Sequence, residues 1–361
     1  MNHALSLTDG RGSIDAATPV LGGDFSTWTP GDVQPVGSTD GGVRNVGHRI
    51  ALTTYVGNIV VAAGQTVSGL DIYGKVTFTG TGTLIDCRVR GPVWGQGPTW
   101  AAGTPTNDAC INSTYNGRGS TIRYCTVDMT GRENVWTDGI RGNNFTMEYC
   151  EIMRVVDGFG GVAGSYYGPT LIQNSRIHNG YYIAWRDSST GLGYPNYTSQ
   201  SDLRLHGDGM QIQAFSNYTI RGNYIGGARA ALGPNGSTVK QAHRDYLLPA
   251  DQPYIAAVDA AEDYANSGLI IQNSVLSGGP VGVLLEKNWL AGGDATVNLF
   301  ASVNDTLGGV TVQNNRFIRQ STLPGSDGYE GRTIHKATVC TSTITGNVWD
   351  NDGTAVPVTT Y

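Results

Sequence analysis

Apolar residues in this chain come in short runs that return in a fixed frame. An apolar residue is followed by Cys, Ser or Asn three positions on and by a second apolar residue two positions later. The frame fits Leu84/Cys87/Val89, Ile122/Cys125/Val127, Met147/Cys150/Ile152 and Ile172/Ser175/Ile177. It continues through Ile220/Asn223/Ile225, Ile271/Ser274/Leu276, Val312/Asn315/Phe317 and Ile344/Asn347/Trp349. Cys125 and Cys150 are 25 residues apart, as are Cys150 and Ser175, which is about one turn of a wide three-strand coil; wider spacings mean loops grafted onto that coil. Strands this short cannot bury an apolar face alone, so successive turns must stack, as in a solenoid. Residues three apart keep one inward sense along a strand only across a bend. A small residue recurring at that bend explains the Cys/Ser/Asn position. Stacked Asn can hydrogen-bond along the axis, and stacked Cys behave as small hydrophobes.

The pattern therefore predicts an all-β fold, a right-handed parallel β-helix of roughly ten turns. Residues 50–361 form the helix, with insertions near 91–108, 186–204 and 233–268, the last holding a short helix over 254–265. Residues 1–49, rich in Gly, Asp, Pro and Thr, read as a cap on the first turn or an attachment segment, since a solenoid needs its ends covered.

Composition agrees. The chain has 361 residues with 52 glycines and only 14% charged residues, as expected for many short strands joined by Gly, Asn, Ser and Thr corners. A formal net charge of −6 argues against a nucleic-acid partner. No apolar run is long enough for membrane insertion, and the N-terminal stretch lacks the basic and apolar regions of an export signal, so synthesis in a cytoplasm is expected. Five cysteines are an odd number for a disulfide framework. They are expected as free, buried thiols, and none has zinc spacing.

The rhythm from about residue 50 to 350, with "YTIRGNYI" (218–225) and "HGDGMQIQ" (206–213), resembles pectate-lyase-like β-helices, especially the minor tail and tailspike-type β-helix proteins of actinobacteriophages. The resemblance implies a virion-tail location, a homotrimer, other phage tail proteins as partners and a polysaccharide substrate. "WTDG" (136–139) is similar to part of the Asn-Thr-Asp-Gly signature of polygalacturonase-type glycosidases, whose companion motifs this chain lacks. Pectate lyases use an Arg or Lys base, often with calcium, which makes Arg141 and Arg154 comparable positions.

Three segments share an Asp-Gly-apolar form: "WTDGIR" (136–141), "VVDGFG" (155–160) and "HGDGMQ" (206–211). Each precedes a ladder position, at Cys150, Ser175 and Asn223. If the turns register, Asp138, Asp157 and Asp208 stack on consecutive rungs about 4.8 Å apart. Retaining glycosidases hold two carboxyls about 5–5.5 Å apart and inverting ones about 6.5–9.5 Å apart, so a three-acid column can supply either geometry. Close like charges also raise one pKa, as a general acid requires. Against this stands a plain turn role, because Asp caps backbone N–H groups and Gly accepts positive φ. A bend at Gly139, Gly158 and Gly209 would turn the acids outward.

His206 falls on the face of Asp208 and joins Asp138, Asp157 and Asp208 as a candidate catalytic residue. Candidate substrate-binding residues are Arg141, Trp136, Trp185, Arg186, Gln211, His243 and Arg244; Trp94, Trp100 and Asp245 stand beside them. Exposed Trp rings near a groove stack on sugars, although corner packing explains them equally. No cofactor is called for. Acid ladders also bind calcium, which makes Asp138 and Asp157 candidate ligands for it.

The function expected is a phage-tail-associated glycoside hydrolase acting on a bacterial cell-surface polysaccharide, for example an actinobacterial arabinogalactan-type glycan. A polysaccharide lyase and a non-catalytic glycan-binding adhesin are the alternatives.

Overall fold

The computed structural model describes residues 46–91, 108–113, 117–129, 137–155, 157–161, 168–178, 208–213, 217–226, 267–272, 282–291, 295–301, 307–317, 333–349 and 352–361. Its strands form three parallel sheets of ten, ten and nine strands. Sheet 1 runs from Thr53–Val56 to Val348–Trp349, sheet 2 from Ile59–Val61 to Val358–Thr360, and sheet 3 from Thr66–Ser68 to Ser342–Thr345. The chain visits sheets 1, 2 and 3 in turn and then steps up one rung, which makes a right-handed parallel β-helix of about ten coils. One coil shows the plan: Thr137–Gly142 in sheet 2, Phe145–Glu148 in sheet 3 and Glu151–Met153 in sheet 1.

The corner from sheet 3 to sheet 1 is built alike on eight rungs; on the first, Gly69 alone joins Ser68 to Leu70. Two residues make each of the eight. The first is left-handed: Asp86, Tyr124, Tyr149, Asn174, Gly222, Lys287, Asn314 and Gly346 all have φ between +50° and +65°. The second is the small ladder residue, at Cys87, Cys125, Cys150, Ser175, Asn223, Asn288, Asn315 and Asn347, and all of these are buried.

The ladder bonds repeat across chemistries. Asn223 Nδ2 donates to the Ile172 carbonyl at 3.0 Å, Asn288 Nδ2 to Ile220 at 2.9 Å, and Asn315 Nδ2 to Leu285 at 2.9 Å. Each Asn oxygen accepts the backbone N–H of the ladder residue before it, as in Asn223 N–H to Asn288 Oδ1 at 3.0 Å. Below them, the Cys125 and Cys150 thiols point at the Leu84 and Ile122 carbonyls. All five cysteines are buried and unbridged. Burial pushes the Cys87 thiol up to about 12.

One rung differs from the sequence reading. Ile271 lies in the sheet 2 strand Ser267–Gln272, not before a ladder position, and Leu285/Asn288/Leu290 supplies the rung instead. Ser274 lies outside the described residues. The strand Ser267–Gln272 is buried throughout and imitates the ladder frame because its apolar run continues past it.

The core is the stack of inward residues of all three sheets, among them Ile72, Val89, Val127, Ile152, Ile177, Ile225, Leu290 and Phe317. Outside it, on sheet 1, Tyr224, Trp289 and Ala291 form a second buried apolar group.

The long connections fall on one side. Residues 90–107, 179–207, 227–266 and 318–333 all join sheet 1 to sheet 2. The insertions expected near 91–108, 186–204 and 233–268 overlap these connections, but Asp108 and residues 267–268 lie in the strands Asp108–Ser113 and Ser267–Gln272. The predicted helix over 254–265 lies outside the described residues. At the N-terminal side, Val46–Ile50 does not lie across the end of the helix. It runs along the axis over three coils: Gly47 N–H donates to Tyr149 O, His48 meets Thr126, and Arg49 pairs with Asp86. Residues 1–45 are outside the described region.

Candidate active site

The acids register as the sequence predicts. Sheet 2 pairs Ile140 with Phe159 and Phe159 with Met210, which sets Asp138, Asp157 and Asp208 side by side on three successive rungs. Backbone bonds lock the column, with Gly139 N–H donating to Asp157 O at 2.8 Å and Gly158 N–H donating to Asp208 O at 3.2 Å. The column continues to Ser267, which pairs with Asp208.

The glycines bend the strand, but not by positive φ; none of Gly139, Gly158 and Gly209 is left-handed. They are there because nothing larger fits. A Cβ at Gly158 would stand 2.2 Å from Ile177 Cγ2 and 2.5 Å from the Gly209 carbonyl oxygen. Gly139 and Gly209 meet Ile152 and Ile225 in the same way. Each glycine thus faces the core, as does the apolar residue after it: Ile140, Phe159 and Met210 are fully buried. Two consecutive inward positions require a bend, and the bend turns the preceding Asp outward.

Asp138 and Arg141 accordingly share the outer face. The Arg141 guanidinium grips Asp138 Oδ2 from Nε at 2.9 Å and from its terminal nitrogen at 2.6 Å. Gly160, on the next rung beside Arg141, leaves the gap this needs, since a Cβ there would lie 2.8 Å from Asp138 Oδ2. Gln211 pairs with Gly160, so Arg141, Gly160 and Gln211 form a second outer column alongside the acids. Gly160 was not singled out from the sequence, although "DGFGG" (157–161) carries the signal.

The acids are enclosed: Asp138, Asp157 and Asp208 are 4%, 7% and 2% exposed. Asp157 is the centre of the column, and its Oδ1 accepts the Asp208 backbone N–H at 2.8 Å. Burial pushes its carboxyl well above the ordinary carboxylate range, and the charges of Asp138 and Asp208 push the same way. That N–H bond and the more distant Arg141 pull less strongly downward. The column thus sets a carboxyl whose pKa is pushed well above its ordinary value one rung from Asp138, which is paired to Arg141.

Of the candidate site residues, Asp138, Asp157, Asp208, Arg141 and Gln211 meet on the outer face of sheet 2. Arg154 is a left-handed residue just beyond the sheet 1 strand Glu151–Met153. His206, Trp136, Trp185, Arg186, His243 and Arg244 lie outside the described residues, as do Trp94, Trp100 and Asp245. Among the described residues, no three His, Cys, Asp or Glu side chains are grouped to hold a metal.

No protein-family model matches the chain, and no curated protein matches it. Among solved structures it is similar to the tailspike protein gp49 of the Acinetobacter baumannii bacteriophage Fri1, a capsular polysaccharide depolymerase. That match has a TM-score of 0.30 at 10% identity, over 82% of this chain and 56% of that one. The chain therefore spans just over half of that protein's length. So distant a likeness carries no argument about activity; the β-helix rests on the three sheets and their register.

Proposed function

We propose that the protein is a glycoside hydrolase that cleaves a bacterial cell-surface polysaccharide, with the Asp138–Asp157–Asp208 column as its reaction centre. The observation that carries this reading is Asp157, an enclosed carboxyl stacked between two others, whose burial and neighbours push its pKa well above the ordinary carboxylate range. A protonated carboxyl donates to the leaving glycosidic oxygen, as a general acid must. Asp138, paired to Arg141, is the charged partner. Their strands lie one rung, about 4.8 Å, apart, a backbone spacing compatible with the 5–5.5 Å carboxyl separation of retaining enzymes. Asp138 then attacks the anomeric carbon, the bond to the leaving oxygen breaks as Asp157 gives up its proton, and water releases the glycosyl group with Asp157 as base. The setting on a phage tail follows from the family resemblance of the sequence.

A second reading has its own observation. The Asp157 bond to the Asp208 N–H is the same kind of bond that Asn288 makes to the Asn223 N–H, and all three acids are enclosed. On that reading the acids are a corner ladder of a glycan-binding spike. Product mass separates the two. Incubation with wall polysaccharide should yield fragments carrying an added water, lost in Asp157→Asn, with the anomeric configuration retained. Fragments short of that water would make the protein a lyase. Intact polymer across a broad glycan panel would leave the spike.

A further inference from the structure

The outer face of sheet 1 holds a cavity of about 500 Å³ between the axial Val46–Leu52 segment and the first coils. Its floor is one outer column: Thr54 pairs with Asp71, and Asp71 with Arg88, on three successive rungs. Residues 48–52 of the axial segment complete the lining.

The Asp71 carboxylate of this cavity is fully engaged, whereas Arg49 and Arg88 carry more donors than their partners use. Asp71 takes Arg88 through both oxygens and Arg90 through both as well, with Arg88 Nε at 2.8 Å and Arg90 Nε at 3.0 Å. That fills a carboxylate. Arg49 is held in the same two-pronged way by Asp86, at 2.9 and 2.7 Å. A guanidinium has five N–H donors and such a pair occupies two, so Arg49 and Arg88 each keep donors for a guest. Both are fixed in direction by their partners, yet their side chains remain 31% and 29% exposed. Each arginine is balanced by an aspartate, so the site offers an anion a surplus of guanidinium N–H donors rather than a net positive charge. The volume lies within the range of small-ligand sites, far more than a carboxylate alone fills. Ala51 and Leu52 offer C–H surface beside the arginines.

We infer that this cavity binds an acidic sugar, with the ligand carboxylate on Arg49 and Arg88 and the sugar ring against Ala51 and Leu52. It is a binding site on a different sheet from the acid column, and it stands whether or not that column is catalytic.

Titration calorimetry on the full chain tests it, with glucuronate, glucose and inorganic phosphate as probes. Glucuronate should bind saturably, with a dissociation constant on the order of millimolar, and glucose about tenfold more weakly or worse. Ala51→Trp, at an exposed wall position, should weaken glucuronate at least about tenfold while leaving the melting curve unchanged. Asp157→Asn should leave it alone, which separates this site from the acid column. Equal binding of glucose, phosphate binding as tightly as glucuronate, no saturable binding, or indifference to Ala51→Trp would each overturn the assignment.

Discussion

The β-helix stacks like upon like in two places, with opposite results. At the corner from sheet 3 to sheet 1, Asn223, Asn288, Asn315 and Asn347 stand above one another. Each donates from Nδ2 and accepts at Oδ1, so neighbours satisfy each other. In sheet 2, Asp138, Asp157 and Asp208 stand above one another with acceptors only. A carboxylate cannot donate to the next carboxylate, so burial and its two neighbours push the pKa of the middle one well above the ordinary range. An amide ladder relieves its own burial, whereas a carboxyl ladder stores an electrostatic conflict. The chain also invests differently in the two places. The amide corner is two residues on every rung, whereas the connections entering sheet 2 reach from 227 to 266. One place holds register and the other is free to vary, which is where a site can be elaborated.

The sharpest break of this comparison is Asp157→Asn, which makes the acid column resemble the amide ladder. Turnover of the polysaccharide should fall about a thousandfold, the usual scale for losing a general acid, measured as initial rate of fragment release. Next in size is Gly158→Ala. Its Cβ would meet Ile177 and the Gly209 carbonyl, neither able to withdraw, and should cost about 3 kcal/mol in denaturant unfolding. Asn288→Ala strips one rung of the amide ladder, stranding the Asn223 N–H and the Ile220 carbonyl. About 2 kcal/mol should be lost by the same assay. Cys125→Ser should cost least, about 1 kcal/mol or below, because Ser175 already fills that position in the same column.

A pH series sharpens the contrast without disrupting either stack. The folded pKa of Asp157 is raised, so its contribution is complete below the unfolded value of about 3.9 and is lost as pH rises through the folded value. The melting temperature should therefore decline from about pH 4 upward, and Asp157→Asn should flatten that decline. Asp71 acts with the opposite sign. Burial pushes it up, but Arg88 and Arg90 outweigh burial and hold it below the ordinary value, so its contribution is lost only as pH falls below about 4.

Most of this architecture is legible in the sequence because a solenoid repeats its constraints. Every rung after the first needs a small residue after a left-handed one, and the Cys, Ser and Asn positions record it. The Asp-Gly triplets likewise reveal the acid column, since in-register parallel strands bring equivalent residues together. The misplaced rung at Ser274 shows the limit. A fully buried strand such as Ser267–Gln272 has apolar residues at successive positions, so spacing alone cannot select the frame, whereas Leu285/Asn288/Leu290 fits it equally in sequence. The role of the glycines was hidden for another reason. Close approach to Ile152, Ile177 and Ile225 on sheet 1 is a tertiary fact, and Asp-Gly alone suggests a turn. Arg141 stands out in the sequence two residues after Gly139, but its ion pair with Asp138 depends on the bend at Gly139 and the gap at Gly160.

The central claim is that three stacked carboxyls share one electrostatic problem, with Asp157 bearing the proton. Carboxyl carbon NMR on protein labelled at the aspartate side chains tests it directly, by following Asp157 across a pH titration. Asp157 should titrate well above the ordinary carboxylate range in the wild type and move down in both Asp138→Asn and Asp208→Asn. An Asp157 that titrates near 4 in the wild type, or stays put in both variants, would contradict the account.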